Sequence, residues 1–582
     1  MYCAYDIEST GLNVYKGAEM FSYSIGHEDG SCVVHRLDGK DRIENRKILQ
    51  KFFDDTTIKK VCHNVKFDRK FTIHYGIHVP NETEWHCTLL MSQLLRNLAP
   101  SHSLDYLCWE LAGYKRIDKE ISTMAKAMGG YQNVPIHIMN NYQKHDAIRG
   151  MLLFLFFFPK IKKNPKVYSD YLNEIQLIKV ADSMEEYGIN TCKSAIDNLI
   201  KWMKEEIEQV TFKTIEMFGE PYNFNSPSEV SYLLFQKLEL PDLGLTKTGK
   251  FKSGKDIILE LRERYPEHIQ TLDLILKIRS YTKGIAILKG YLESTDTNGV
   301  IHANIKTNEA VTGRLACSEP NLMNVSKEGV LKNLFPVPAR KAFKCKPRHV
   351  LYFVDYSGIE LRLGIEVAKS IRMMNLLKEG KSPHIEACKL FYGDRFRNKG
   401  LDKDLYGAAK NAHFALMYGA GVSKISRTLM LSPKEGKLAY DNYSLEYPEI
   451  STLFKSIMNR INEDGFIETS FGRRLYVPKD KAYSGLNYLI QGTAAGILKR
   501  AIVGVNSYLK AEIGEGAGLV MCIHDEIIIS LHRSLLNQAN HILKMINQIM
   551  VTIPEIKVPL EVEWRRSTST WNKAKNYDIN YR

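Results

Sequence analysis

Hydrophobic positions change rhythm along the chain. Over residues 1–80 they come in short runs rich in aromatic and β-branched residues: YCAYDIE, FSYSIGH, SCVVHRL and KKVCHN. Turn residues separate these runs, so they predict strands. From about 88 to 158 the spacing becomes helical. It ends in Met151–Phe158 (MLLFLFFF), far short of the roughly 20 residues a bilayer span needs, which predicts one buried helix. Pro159 and the basic KIKKNPK stretch predict that the first module ends near Phe158. Residues 168–290 read as long amphipathic helices, as in YLNEIQLIKVADSMEEYGI. Strands and turns return from 298. Residues 349–365 (HVLYFVDYSGIELRLGI) predict a strand, a turn and a helix. Further helices are predicted over 402–430, 436–464 and within 475–511, and a final pair of strands near 557–564.

One run resists the simple reading. Leu519–Ser530 (LVMCIHDEIIIS) has the composition of a buried strand, yet His524, Asp525 and Glu526 sit in its middle. A lone buried carboxylate costs several kcal/mol, on the order set by charge desolvation. Either the acids mark a hairpin tip open to water, or a cation holds them.

Composition narrows the class. At about 150 residues per domain, 582 residues suggest about four modules. Lys and Arg exceed Asp and Glu by 80 to 66, a formal +14, which favours a polyanionic partner such as nucleic acid. The bias is local as well: residues 245–290 carry ten Lys/Arg against five Asp/Glu, a surface suited to following phosphates. Ten cysteines are scattered with no CxxC pair, so structural zinc is not expected and a reducing cytoplasm is. No signal peptide or membrane segment is legible.

Carboxylates recur in two separated sets. Asp355 ends the apolar run LYFVD, far upstream of Asp525. Neighbouring strands would bring the two together, and two carboxylates at one point need divalent cations. Mg²⁺ suits oxygen ligands and keeps positions for phosphate. Two such ions roughly 3.5–4 Å apart can serve an attacking and a leaving oxygen. In the first module Asp6 and Glu8 alternate on one strand and share a face. Asp68 follows in CHNVKFD, and Asp146 in YQKHD with Tyr142 one helical turn earlier. These acids predict a second, hydrolytic two-metal site, with Tyr142 orienting water. In LYGAAKNAHFALMYGAG, Lys410, Phe414 and Tyr418 recur every four residues along one helical stripe. That stripe offers a cation for phosphate and flat faces for a sugar and any base.

At this point the residues match a family. The chain resembles family A DNA polymerases, the DNA polymerase I type, over nearly its full length. DYSGIELR (355–362), KNAHFALMYG (410–419) and IHDEI (523–527) resemble the family's first palm, fingers and last palm motifs. TGRLACSEPNLMN (312–324), SFGRRLYVP (470–478) and NYLIQGTAA (487–495) support them, and MEEYGI (184–189) and FNSPSEV (224–230) resemble the thumb region. DIE (6–8), HNVKFD (63–68) and YQKHD (142–146) resemble the three motifs of a proofreading 3′→5′ exonuclease.

The resemblance implies an α/β and α+β multidomain protein. An RNase H-like 3′→5′ exonuclease (1–158) would precede a right-hand polymerase: linker and helical thumb (159–297), first palm part (298–376), fingers (377–470) and second palm part (471–582). It implies that Asp355 and Asp525 hold two Mg²⁺ ions with Glu526 nearby, Mn²⁺ serving as a substitute, and that Asp6, Glu8, Asp68 and Asp146 hold the exonuclease pair. Lys410 would contact the triphosphate and protonate the leaving group. Glu360 would exclude a 2′-hydroxyl, His384 would lie near the β-phosphate, and Tyr418 would stack near the templating site. Phe414 would disfavour nucleotides lacking a 3′-hydroxyl. Arg314, Asn324, Asn487, Gln491 and His524 would contact primer–template DNA, several in the minor groove, where correct pairs present similar acceptors. DNA and dNTPs are the expected partners, with other replication proteins besides and no membrane. The exonuclease motif opens the chain, so no 5′-nuclease domain is expected before it. Compactness and the lack of a targeting sequence suggest a bacteriophage replicase in the host cytoplasm.

Several positions depart from the family. Tyr406 stands where an arginine usually binds the γ-phosphate, leaving Lys403 or another nearby base to supply that charge. Tyr483, His413, Gly358 and the Ser-Pro pair before His384 also differ. Rival readings are a single-subunit RNA polymerase, which Glu360 and the exonuclease acids oppose, an exonuclease whose second half only grips DNA, and a non-catalytic DNA-binding scaffold.

Overall fold

The computed structural model describes residues 1–246, 248–249, 251–323, 325 and 334–579. Strand β1 (Tyr2–Ser9) is the middle of a five-stranded sheet. It pairs antiparallel with β2 (Met20–His27), which carries β3 (Cys32–Arg36) on its other edge. On its opposite side β1 runs parallel to β4 (Lys59–Cys62), which leads into helix α1 (Val65–His74) and pairs with β5 (Trp85–Cys87). Helix α2 (Asp118–Ala127) and the long α3 (Ile136–Lys162) complete this half, with α3 packed on β1 and β2.

Two expectations need correction here. Helix α3 does not stop at Phe158 but runs through Pro159 to Lys162. Proline removes one N–H and so strands the carbonyl four residues back. That residue, Leu155, is exposed, so water can take the carbonyl, while Lys163 N–H still closes on Pro159 O at 3.0 Å. Nor is Met151–Phe158 buried throughout. Leu153, Phe154, Phe157 and Phe158 face the core, but Leu152, Leu155 and Phe156 do not, and Lys160 lies over the Phe156 ring.

Helix α4 (Pro165–Tyr187) starts on an Asn164 cap and crosses from the first half to the second. Its Asp170 and Glu174 meet Arg473, Lys499 and Arg500 in a buried ion network. Arg473 Nε donates to Asp170 at 2.9 Å, its Nη1 to Asn308 at 2.7 Å and its Nη2 to Glu174, while Lys499 Nζ donates to Glu174 at 2.5 Å. Glu174 and Lys499 are at most 1% exposed. Burial lowers the Lys499 ammonium to about 8 despite Glu174 beside it.

Beyond this joint, helices α5 (Lys193–Phe218) and α6 (Ile269–Glu293) pack together as a pair. The second sheet is built on β6 (His349–Tyr356), buried on both faces, which turns at Gly358 into α7 (Ile359–Ala368). Gly358 has φ 62°, a left-handed conformation that favours glycine at this position. A helical block follows: α8 (Pro383–Tyr392), α9 (Lys403–Met417), α10 (Val422–Leu429), α11 (Pro433–Glu446) and α12 (Pro448–Asp464). The single helix expected over 402–430 is therefore two, broken where Gly419 takes φ 78°. Helix α13 (Gly485–Tyr508) returns to the sheet.

The run Leu519–Ser530 is not one strand. It is a hairpin of β7 (Ala517–Ile523) and β8 (Glu526–His532), with His524 and Asp525 at its tip. Of the two readings left open by the sequence, the hairpin tip describes the backbone. Strand β9 (Val562–Ser567) pairs with β6 and β10 (Lys575–Asn576) with β9, so the closing strands lie later than expected. The sheet order is β7-β8-β6-β9-β10, all antiparallel.

Candidate functional site

The second sheet places its acids by register. Asp355 pairs with Glu526 across β6 and β8, and with Glu563 across β6 and β9. Asp525 is one residue outside that register, at the hairpin tip, so it reaches the same sheet end as Asp355. His524 holds φ 54°, which lets a two-residue tip close. The Asp525 carboxyl is raised above its usual range by burial, lowered in part by Arg314 and raised again by Asp355 and Glu360. Beneath the tip, the Cys522 thiol is pushed well up by burial and by Asp525, Glu526 and Asp355 together. Glu526 is 2% exposed and accepts from Arg565, while its Oε1 has no hydrogen-bond partner.

Beside these acids Glu360, in the first turn of α7, is clamped from two sides. Arg314 Nη2 donates to its Oε1 at 2.7 Å and Tyr418 Oη to its Oε2 at 3.0 Å. Burial and the Glu360 charge both raise the Tyr418 phenol. One face of α9 presents exposed Lys410, then half-buried Phe414 and Tyr418. His384 lies behind the stripe: its ring is 5.1 Å from Phe414 and its Nδ1 is 3.0 Å from Nδ1 of His413, one nitrogen donating and the other accepting. Burial, then Lys410 and Lys399, lower His384 to about 4, so it is neutral at pH 7. On α13, Asn487 and Gln491 are half-buried and one turn apart, and among the described residues neither side-chain amide has a hydrogen-bond partner. His524 is exposed at the tip. Asn324 lies outside the described residues.

The first sheet assembles the other set. Asp6 and Glu8 share the more open face of β1, while Tyr5 and Ile7 point into the core. Asp68 comes from the first turn of α1 and Asp146 from α3. Burial raises all four carboxyls and their mutual repulsion adds to it for Asp6 and Glu8; Asp68 reaches about 8 and Asp146 about 7. Asp6 Oδ2 and Asp146 Oδ1 are buried without a hydrogen-bond partner. Tyr142 Oη donates to Asp118 Oδ1 at 3.4 Å, and Arg149 Nη1 stands 3.7 Å from Asp146.

Orphaned, buried, all-oxygen acids suit a hard divalent cation. Among the described residues no three His, Cys, Asp or Glu are already arranged as ligands of one ion, so these acids are close neighbours and not a finished cage. Asp118, Arg149 and Arg565 were missed from sequence. Arg565 was findable: it alternates with Glu563 on the strand flanking β6, on the face that Glu526 also lines. Asp118 has no spacing signal, because α2 meets α3 only in the fold.

No helix among the described residues is long and apolar enough to cross a membrane. Residues 193–573 match the family model for DNA polymerase family A, and residues 1–162 that for a 3′-5′ exonuclease. DNA polymerase I of Pseudomonas aeruginosa is 25% identical over 98% of this chain and 63% of its own length. DNA polymerase I of Borreliella burgdorferi is 26% identical over 96% of this chain and 61% of its own. The chain thus spans about three fifths of these curated relatives. Among solved structures, the POL domain of Pol1 from M. smegmatis, in complex with DNA primer-template and dNTP, superposes with a TM-score of 0.82 at 20% identity, covering 98% of this chain and 96% of that one. These relatives are bacterial and lend the expected phage source no support.

Proposed function

Since this chain belongs to DNA polymerase family A, we propose that it is a DNA-directed DNA polymerase that extends a primer 3′ end with dNTPs, and that its first segment, residues 1–162, which the exonuclease model matches, trims that end as a 3′→5′ exonuclease. One observation carries the reading. Asp355 and Asp525, from remote segments, reach one sheet end next to the Glu360 clamp, and a separate acid set stands in the other half. The division into exonuclease, thumb, palm and fingers is part of this proposal.

In synthesis the primer 3′-hydroxyl gives its proton to solvent as its oxygen attacks the α-phosphorus, the bond from that phosphorus to the bridging oxygen breaks, and pyrophosphate leaves. Lys410 holds the triphosphate and gives a proton to the pyrophosphate. Glu360, pinned by Arg314 and Tyr418, fills the space a 2′-hydroxyl would need. Phe414 lies under the sugar, and Tyr418 stacks near the templating base. Neutral His384 donates to a phosphate oxygen. Arg314, Asn487, Gln491 and His524 contact the duplex. In the other half Tyr142 orients a water toward the terminal phosphodiester. Divalent cations, magnesium with manganese as substitute, would be held by Asp355 and Asp525 and by Asp6, Glu8, Asp68 and Asp146, supplying charge neutralisation and an activated oxygen. Phage DNA replication in a host cytoplasm, with other replication proteins as partners, rests on the sequence resemblance alone.

A labelled primer–template with Mg²⁺ and four dNTPs tests the reading. Extension to the template end is expected, with little from NTPs. No extension would overturn it.

A further inference from the structure

The stripe on α9 begins one turn before Lys410, at Tyr406, which carries no positive charge. The loop ahead of α9 restores one. Lys399 Nζ lies 5.0 Å from the centroid of the Tyr406 ring. The loop is tightly tied. Both carboxylate oxygens of Asp402 are used by Arg397, through its backbone N–H at 2.7 Å and its guanidinium at 2.8 Å, with Asn398 N–H at 3.3 Å besides. Asn398 Oδ1 in turn accepts from Gly400 and Leu401 N–H at 2.9 and 3.0 Å. Nearby Arg395 is paired with Glu435 at 2.9 Å.

Arg395 and Arg397 are therefore spent on Glu435 and Asp402. Among the described residues neither Lys399 nor Lys410 has a carboxylate partner. Both cations nevertheless bear on one imidazole, His384, which they help keep neutral. Two lysines without a carboxylate partner, one of them over an aromatic ring, are the chemistry of an anion site. Lys403 also falls on the stripe by spacing. It makes no ring contact with Tyr406 and is not among the charges acting on His384.

We propose that Lys399 is a second phosphate-binding cation for the polyphosphate of an incoming nucleoside triphosphate, placed by the Asp402-tied loop where Tyr406 supplies none. The proposal deepens the polymerase reading and rests on it. Lys399 lies in the loop before α9, outside the helix.

The test uses the full chain on a primer–template with a dideoxy-terminated primer, titrated with the next dNTP and Mg²⁺. Lys399→Ala should weaken dNTP binding by about tenfold, as loss of a charge-assisted contact would. Lys399→Arg and Lys403→Ala should stay within about twofold of wild type, and Tyr406→Arg should restore binding to the Lys399→Ala protein. Degradation of a single strand should be unchanged in Lys399→Ala, which separates loss of a contact from misfolding. Wild-type dNTP affinity in Lys399→Ala, or the loss appearing in Lys403→Ala instead, would overturn the proposal. If wild type itself binds no dNTP, the polymerase reading is what fails. Inorganic tripolyphosphate is then the probe: binding weakened only by Lys399→Ala supports the anion site, and equal binding rejects it.

Discussion

Asp355 stands directly opposite Glu526 in the β6–β8 ladder, and Asp525 immediately precedes Glu526 at the hairpin tip. That single register brings together acids from remote parts of the chain. Side chains alternate along a strand, so a slip of one residue would turn Asp355 to the other face and dissolve the site. The ladder is held by residues with almost no exposure, Val354, Ile527 and Ile528 among them. The apolar strands thus fix where the charges meet.

The two acid sets stand in separate halves, so their activities should part. Asp6→Ala with Glu8→Ala should reduce primer-end degradation by at least about 100-fold, more than typical losses from outer-shell partners of a metal site. Primer extension should persist. A gel assay with and without dNTPs reads both, and joint loss would contradict the division.

The carboxyls of the first sheet also predict a pH dependence. Burial raises Asp68 to about 8 and Asp146 to about 7. The folded state then keeps protons that the unfolded chain releases near pH 4. Their contribution to stability is full below about pH 4 and is lost as pH rises through about 7 to 8. In EDTA the first half should melt lower at about pH 8.5 than at about pH 5.5, and Mg²⁺ should restore the loss mainly at the higher pH. An EDTA melting profile that stays flat across this range, or rises, would contradict the assignment.

Glu360 is held at its two carboxylate oxygens by Arg314 and Tyr418. Glu360→Ala should raise ribonucleotide use relative to deoxyribonucleotide use by at least about tenfold, since a steric and charged block disappears. Competition of NTP against dNTP in single-nucleotide addition measures it. An unchanged ratio would remove Glu360 from the sugar site.

Glu174 neutralises both Arg473 and Lys499 at the joint between the halves. Glu174→Gln should cost about 3–5 kcal/mol in denaturant unfolding, because breaking a buried ion pair leaves charge uncompensated. A loss under about 1 kcal/mol would mean that Asp170 carries the network alone.

Much of this was legible in the residues. Any one of Asp6, Glu8, Asp355 and Asp525 is more often a cap or an ion-pair partner; they stood out because acids recur in two sets at the ends or on one face of apolar strands. The stripe Lys410–Phe414–Tyr418 was readable from helical spacing. The hairpin at His524–Asp525 was one of two readings the residues left open, because composition alone does not separate two short apolar strands around a two-residue tip from one strand whose acids hold a cation. Pro159 misled for the opposite reason: a local breaker signal yielded to the packing of α3 against the first sheet. The Asp170–Glu174–Arg473–Lys499 network was invisible, since charges scattered over more than half the chain carry no periodicity. Lys399 was hidden in the same way, in a loop whose shape comes from Asp402 and Asn398.

The proposed polymerase activity requires Asp355 and Asp525 to act together at one phosphate. The most direct measurement is a labelled primer–template incubated with Mg²⁺, with and without four dNTPs, on wild type and Asp525→Ala. Wild type should extend the primer when dNTPs are present. Asp525→Ala should only shorten it, at the wild-type rate, in both conditions. Extension by Asp525→Ala at the wild-type rate would contradict the account.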